Sequence, residues 1–252
     1  MPDAGIPCVF CSDACEQMDH YGELGSVERP SYLIAKIDGF RILSDNAPLA
    51  PGHLLLVPFE HTRSTALLPA HRLEQAAHMV SALLAGLAAQ CPDGAHGARG
   101  SMVFEHGTGT DPNDSFCCLA HAHLHLLPVG VRVTEWFEER GVPRIGDISS
   151  LDGLARAGGA EYLFVQRHGE SGDLWDSRGL PSQILRRLVG QALGVTVWNW
   201  HDRIVLQSAQ ERVAEICESL AVARRAVDEA LLSDPAWEPR FRAAGSTPPP
   251  VA

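Results

Sequence analysis

His121-Ala122-His123-Leu124-His125 sets imidazoles at positions i, i+2 and i+4. In an extended strand such positions share one face. The spacing therefore predicts three rings that project together, with Ala122, Leu124 and Leu126 turned toward a core. Same-face neighbours in a strand stand about 6.5–7 Å apart, so one imidazole can attack a reacting centre while the next binds it. Imidazole, with an ordinary pKa of about 6.5, is largely neutral and nucleophilic at pH 7. Attack on phosphorus would form a phosphohistidine-type intermediate and split one displacement into two steps. No carboxylate cluster suited to magnesium lies near this segment, so donors from the protein must carry the phosphate charge.

A second group with chemistry is Cys8-Val9-Phe10-Cys11 in a turn-rich stretch. A lone Cys-x-x-Cys is compatible with a metal knuckle, a redox pair or coincidence. The redox reading needs a following helix on a βαβ core, which residues 1–30 do not suggest. Cys15 is then a spare thiol. Seven cysteines, unevenly spaced and with no export signal at the start of the sequence, point to reduced thiols or metal ligands rather than a disulfide framework. Among the other histidines, His53 follows a turn glycine and can line a substrate pocket, and His106 ends a strand beside the triad segment. His20, His71, His78, His96 and His168 sit in polar or helical settings and read as solvated or structural.

These groups need elements to hold them. Tyr32–Lys36 and Phe40–Leu43 flank Asp38-Gly39, a strong hairpin signal. Ala47–Gly52 reads as a turn and His53–Val57 as a strand stopped by Pro58. Residues 69–90 read as a helix, with Pro69 at its first position and one apolar stripe through Leu73, Ala76, Ala77, Val80, Leu83, Leu84 and Leu87. Ser101–Glu105 and Leu119–Leu127 read as strands around a loop at 107–116. Gly141–Gly159 is a Gly-dotted connector and the candidate boundary. Beyond it come a strand at Glu161–Gln166, a helix at Pro181–Leu193, a strand at Val195–Trp200 and a long helix with Val213, Ile216, Cys217, Leu220, Val227 and Leu231 on one face. In that helix over Pro181–Leu193, Gln183 and Arg186 lie in the first turns, where they can reach a phosphate. Trp198 and Trp200 would share a strand face.

The chain has 252 residues, a formal net charge of −11 and 45% hydrophobic residues. It is therefore a globular chain rather than a disordered one, and its acidity argues against a duplex nucleic acid or anionic membrane partner. No apolar run reaches the length of a membrane span, and the expected location is the cytoplasm.

The segment His121-Ala-His123-Leu-His125-Leu-Leu resembles the signature of the histidine triad (HIT) superfamily. Pro51-Gly52-His53-Leu54-Leu55-Leu56-Val57-Pro58-Phe59-Glu60-His61 is similar to the family's Gly-His and Pro-x-x-His segment. The likeness spans about residues 6–130. It implies an α+β HIT-like fold, an antiparallel sheet with a long helix, and a nucleotidyl hydrolase or transferase acting at the α-phosphorus of a nucleotide derivative. Phosphoramidates and dinucleoside polyphosphates fall in that class. The resemblance implies His123 as nucleophile and His125 as phosphate partner. It also implies a structural zinc held by Cys8, Cys11, His61 and His121. Where the family usually has Asn-x-Gly, this chain has Glu105-His106-Gly107, and where Ser often precedes the triad it has Cys118 after Cys117. A thiol is the weaker hydrogen-bond donor.

The expected organisation is a HIT-like catalytic domain at 1–140, a C-terminal α/β extension at 141–242 packed on it, and a disordered tail at 243–252. The helix with Gln183 and Arg186 resembles, over a short stretch, the extension of spliceosome-associated HIT-like proteins. Family members commonly pair two domains across a shared sheet, and the extension can fill that role within one chain, so a monomer and a homodimer are both open. The alternative function is a non-catalytic nucleotide-binding or scaffold protein that keeps the fold.

Overall fold

A computed structural model describes residues 8–11, 31–110, 121–202, 209–233 and 242–243. Its framework is an antiparallel sheet laid out as β6-β8-β7-β4-β5-β3-β2-β1-β9. The strands are β1 (Leu33–Ile37), β2 (Phe40–Ser44), β3 (Leu54–Pro58), β4 (Met102–Gly107), β5 (Leu124–Leu127), β6 (Arg144–Ile148), β7 (Tyr162–Arg167), β8 (Gly172–Asp176) and β9 (Arg242–Ala243). The helices are α1 (Ala70–Gln90), α2 (Thr134–Glu139), α3 (Ile184–Ala192) and α4 (Ala209–Ser233). The class is α+β. Among the described residues, no helix is long and apolar enough to cross a membrane.

Local sequence explains the first elements. Asp38 and Gly39 take φ of 48° and 84°, the paired positive values of a type I′ hairpin turn, and join β1 to β2. Pro69 sits one residue outside α1 as its N-cap, where its missing N–H costs no helix bond. The stripe through Leu73, Ala76, Val80, Leu83, Leu84 and Leu87 is buried against the sheet. α4 packs beside α1 so closely that a Cβ on Gly86 would stand 2.2 Å from the Ala226 carbonyl. The same helix clamps the turn before β3: Gly52, at φ 86°, donates its N–H to Ser219 Oγ at 3.1 Å.

Period-2 alternation divides the sheet's two faces. Leu54, Leu56, Val103, Leu124, Leu126, Tyr162 and Phe164 turn to the side covered by α1 and α4. Met102, Phe104, Leu127, Leu163 and Val165 turn to the opposite side and pack with Phe137 of α2 and with Ile184, Leu185 and Val189 of α3. Leu55 and Val57 lie on that second side too, under Phe10 of a short turn at Val9–Cys11.

Several expectations need correction. The triad strand is shorter than 119–127: β5 holds 124–127, and 121–123 run outside the ladder, with 119–120 outside the described residues. The connector at 141–159 is not structureless, since it carries β6 and a 3-10 turn at Leu151–Ala157. β8 follows β7 in a hairpin that alternation did not suggest. Val195–Trp200 forms no strand. Gly194 at φ 72° closes α3, and Asn199 and Trp200 are instead tied to Gln183. Cys217 is exposed rather than part of the buried stripe of α4. Ala243, placed in the tail by sequence, belongs to β9 on the edge of β1, while 244–252 lie outside the described residues. The stretch after 140 thus continues the sheet: β7 pairs with β4 from Met102↔Arg167 to Gly107↔Tyr162.

Candidate functional site

His125 is the member of the histidine row that lies inside a strand. It faces Leu55 of β3 on one side and Phe104 of β4 on the other, with its ring stacked on Phe104 at 4.7 Å. His123 follows on the same face, 5.0 Å from His125 between ring centroids and 5.4 Å from Phe10. His121 lies beyond it, 5.6 Å from Phe10. Ala122 and Leu124 are buried on the other side. The alternation read from the sequence therefore holds even where the ladder has ended. Ala122 N–H donates to the Thr62 carbonyl at 2.6 Å and keeps that segment extended.

The hydrogen bonds fix the ring tautomers. A backbone carbonyl can only accept, so His123 Nδ1, 2.8 Å from the His121 carbonyl, must be the protonated nitrogen. Its Nε2 then carries the lone pair. Burial, followed by the neighbouring His125 charge, lowers the His123 pKa to about 4, so the ring is neutral at pH 7. On the far side, Leu49 N–H donates to His53 Nδ1 at 3.2 Å. His53 Nε2 must therefore hold its proton, and it donates to His125 Nδ1 at 2.9 Å. His125 is left with Nε2–H as a donor. One histidine of the pair presents a lone pair and the other a proton.

Behind His125 lies a buried ion pair. Arg186 Nη1 donates to Asp45 Oδ2 at 2.8 Å, and that oxygen lies 3.6 Å from both His53 Nε2 and His125 Nδ1. Burial alone would raise the Asp45 carboxyl, but the Arg186 guanidinium, with His53 and His125, holds it well below the usual carboxylate range. Arg186 also donates to the Ala47 and Trp198 carbonyls and is 4% exposed. Its donors are committed to protein acceptors. Gln183 is 8% exposed and engaged with Asn199 and Trp200. The residues Asp45, His53 and His125 also place three ligand atoms within 4.8 Å. Arg186 already supplies positive charge at the shared oxygen, so a metal ion there would meet repulsion.

The Cys and His set at the other end of the row is different in kind. Ligand atoms of Cys8, Cys11, His61 and His121 all lie within 4.8 Å of one another. Cys8 Sγ is 3.3 Å and Cys11 Sγ 3.6 Å from His121 Nδ1, and Cys11 Sγ is 3.1 Å from His61 Nδ1. A tetrahedral zinc with bonds of about 2.0–2.3 Å sets neighbouring ligand atoms roughly 3.3–3.8 Å apart. His121 Nε2 donates to the Pro58 carbonyl at 2.9 Å, which leaves the Nδ1 lone pair facing the sulfurs. Such an outer hydrogen bond is the usual support of a ligating histidine. Burial, with the adjacent Cys8 sulfur, pushes the Cys11 thiol up; a bound cation would reverse that. The donor set fits a closed Cys₂His₂ metal site.

His106 lies one residue before the end of β4, on the triad side, and is largely buried. Burial, then the His123 charge, lowers its pKa to about 4. Cys15, Cys117 and Cys118 lie outside the described residues. Sequence reasoning missed Asp45, whose partner Arg186 is 141 residues away, and also missed the buried Glu105 carboxyl, which accepts from Thr65 and from the Tyr162 hydroxyl.

The architecture is an α+β sheet with one row of histidines between a soft-ligand cluster and a buried ion pair. No protein-family model and no curated protein matches the chain. Among solved structures, a crystal structure of a Hit-like protein involved in cell-cycle regulation from Bartonella henselae, with an unknown ligand, is similar at 22% identity with a TM-score of 0.32. The match covers 51% of this chain and 86% of that one. A likeness of that size carries no conclusion about fold or activity.

Proposed function

We propose that this chain is a HIT-superfamily nucleotidyl hydrolase or transferase that works through a nucleotidyl-histidine intermediate. The observation that carries the reading is the opposed tautomer pair, a lone pair on His123 Nε2 beside a proton on His125 Nε2. His123 Nε2 attacks the α-phosphorus of a nucleotide derivative. The new P–N bond forms as the bond to the leaving group breaks, and the leaving group departs with its electron pair and takes up a proton from solvent. His125 Nε2–H donates to a non-bridging oxygen as charge grows there. Water or another acceptor then attacks phosphorus and gives up its proton to solvent, while the P–N bond breaks and its electrons return to His123. Arg186 does not touch phosphate in this reading. It holds Asp45, which keeps His53 and His125 in register. Cys8, Cys11, His61 and His121 would hold a structural zinc and, with it bound, would tie the N-terminal turn to the entry of the His123 segment.

Steady-state kinetics and nucleotide titration on single variants test the assignment. His123→Ala is expected to lose turnover by at least about a thousandfold with nucleotide affinity nearly kept, because a nucleophile acts in the transition state. His125→Ala is expected to weaken both. A His123→Ala protein that retains substantial turnover would overturn the reading, and nucleotide binding without any turnover by the intact chain would favour the non-catalytic alternative.

A further inference from the structure

Phe10 stands between Cys8 and Cys11 in one 3-10 turn, closed by the Cys11 N–H to the Cys8 carbonyl at 3.1 Å. In such a turn side chains three apart eclipse, and those between point about 120° away. Cys8 and Cys11 therefore bring their sulfurs together beside His121, and Phe10 is turned off that cluster. Its ring is buried on Leu33, Leu43, Leu55 and Val57. Arg41 Nη1 donates to the Phe10 carbonyl at 3.4 Å and ties the turn to β2. From this seat the ring meets two histidines, His121 edge-on at 5.6 Å and 70°, and His123 tilted at 5.4 Å and 47°.

His123 has the greater need of such a neighbour. His121 and His125 are buried, whereas His123 is half-buried. The bond from its Nδ1–H runs to the His121 carbonyl, two residues back in the same segment, and so does not fix the ring to the rest of the molecule. Phe10 packs against it from the His121 end, and His125 from the other, T-shaped at 5.0 Å and 68°. His125 is itself locked between β3 and β4. The nucleophile's ring is thus held between a strand residue and a residue of the Cys-x-x-Cys turn.

We propose that Phe10 is a positioning residue: it wedges the His123 ring against His125 and so fixes where Nε2 points. The kinetic part rests on the reading of His123 as nucleophile, and the structural part on the ring geometry alone. Phe10→Leu keeps the apolar seat but loses the flat face toward His123, and Phe10→Ala removes both. A misaimed nucleophile loses rate rather than binding, and errors near 1 Å cost up to about a hundredfold. At matched metal content, kcat is expected to fall about tenfold in Phe10→Leu and further in Phe10→Ala, with KM changed less than about threefold. Long-range proton–nitrogen NMR of the imidazoles, on the full chain, gives a second readout that needs no turnover. Wild type should show His123 as one tautomer, protonated at Nδ1. In both variants the His123 nitrogens should shift toward the average of the two tautomers, while His53, held by Leu49 and His125, keeps its Nε2–H signature. Unchanged His123 nitrogens in Phe10→Leu and Phe10→Ala would overturn the proposal whatever the substrate. So would mixed tautomers with wild-type kcat, or a raised KM with kcat kept, which would make Phe10 a wall of the substrate pocket instead. A chain inert on every nucleotide derivative would sink the HIT reading and leave the nitrogen shifts to decide the role of Phe10.

Discussion

The two histidine clusters that flank His123 have similar compactness and opposite chemistry. Around His125, the polar atoms of Asp45, His53 and Arg186 form a set that contains its own cation and anion. Around His121, the facing atoms are two sulfurs and two imidazole nitrogens, all of them electron-pair donors. The first set is neutralised from within and sits buried under the sheet's second face. The second is partly open, with Cys11 and His61 exposed, and a set made of electron-pair donors could hold a metal. One row of histidines thus runs from an end held by a buried ion pair to an end whose soft donors could hold a metal.

The largest effect expected from breaking this contrast is at the soft end. Replacing Cys8 and Cys11 together with Ser should remove about one zinc per chain and destabilise the fold on the scale of a structural metal site, several kcal/mol. Metal analysis of protein purified without chelator, paired with thermal unfolding, checks this. A metal-free wild type of unchanged stability would erase the distinction between the clusters. Next in size is the ion pair. Arg186→Met leaves Asp45 buried without its cation, a change that costs about 3–5 kcal/mol. Asp45→Asn in the same background should recover part of that loss, since no buried charge then remains. Denaturant unfolding of the single and double variants measures both; a single variant within about 1 kcal/mol of wild type would show that the cluster is not held by charge.

The smallest effect concerns His106, which lies on the same face but in neither cluster. Burial lowers its pKa from 6.5 to about 4. A base with a lowered folded pKa stabilises above its unfolded pKa, and that contribution is lost as pH falls through the folded value. His106→Asn should therefore abolish about 1 kcal/mol of the stability lost between pH 7 and pH 5.5. A variant whose stability profile parallels wild type over that range would contradict the neutral, buried His106.

Much of this was legible in the residues, and the limits have physical causes. Asp38-Gly39 and the stripe of α1 specify local structure, and both formed as the sequence predicts. The alternation of His121, His123 and His125 assigned the face correctly, though not the length of β5. Backbone pairing there is set by the Thr62 carbonyl, which spacing within 119–127 cannot encode. The Trp198-Asn199-Trp200 alternation misled because Asn199 and Trp200 satisfy the Gln183 amide instead of a strand neighbour. β6 was masked by its glycine, Gly146 at φ 157°, and by exposed polar neighbours. Asp45 with Arg186, and Glu105 with Tyr162, are pairs made only when β7 and α3 fold back on the first half. Composition and period carry no signal for such contacts.

The central claim is that His123, between these two anchors, takes the nucleotidyl group. Rapid quench of the full chain with a nucleoside phosphoramidate, followed by peptide mass spectrometry, tests it directly. The account predicts an acid-labile nucleotidyl adduct on His123 that forms and decays at rates consistent with turnover and is absent from His123→Ala. Turnover with no adduct at His123 on that timescale, or an adduct on another residue that survives in His123→Ala, would contradict it.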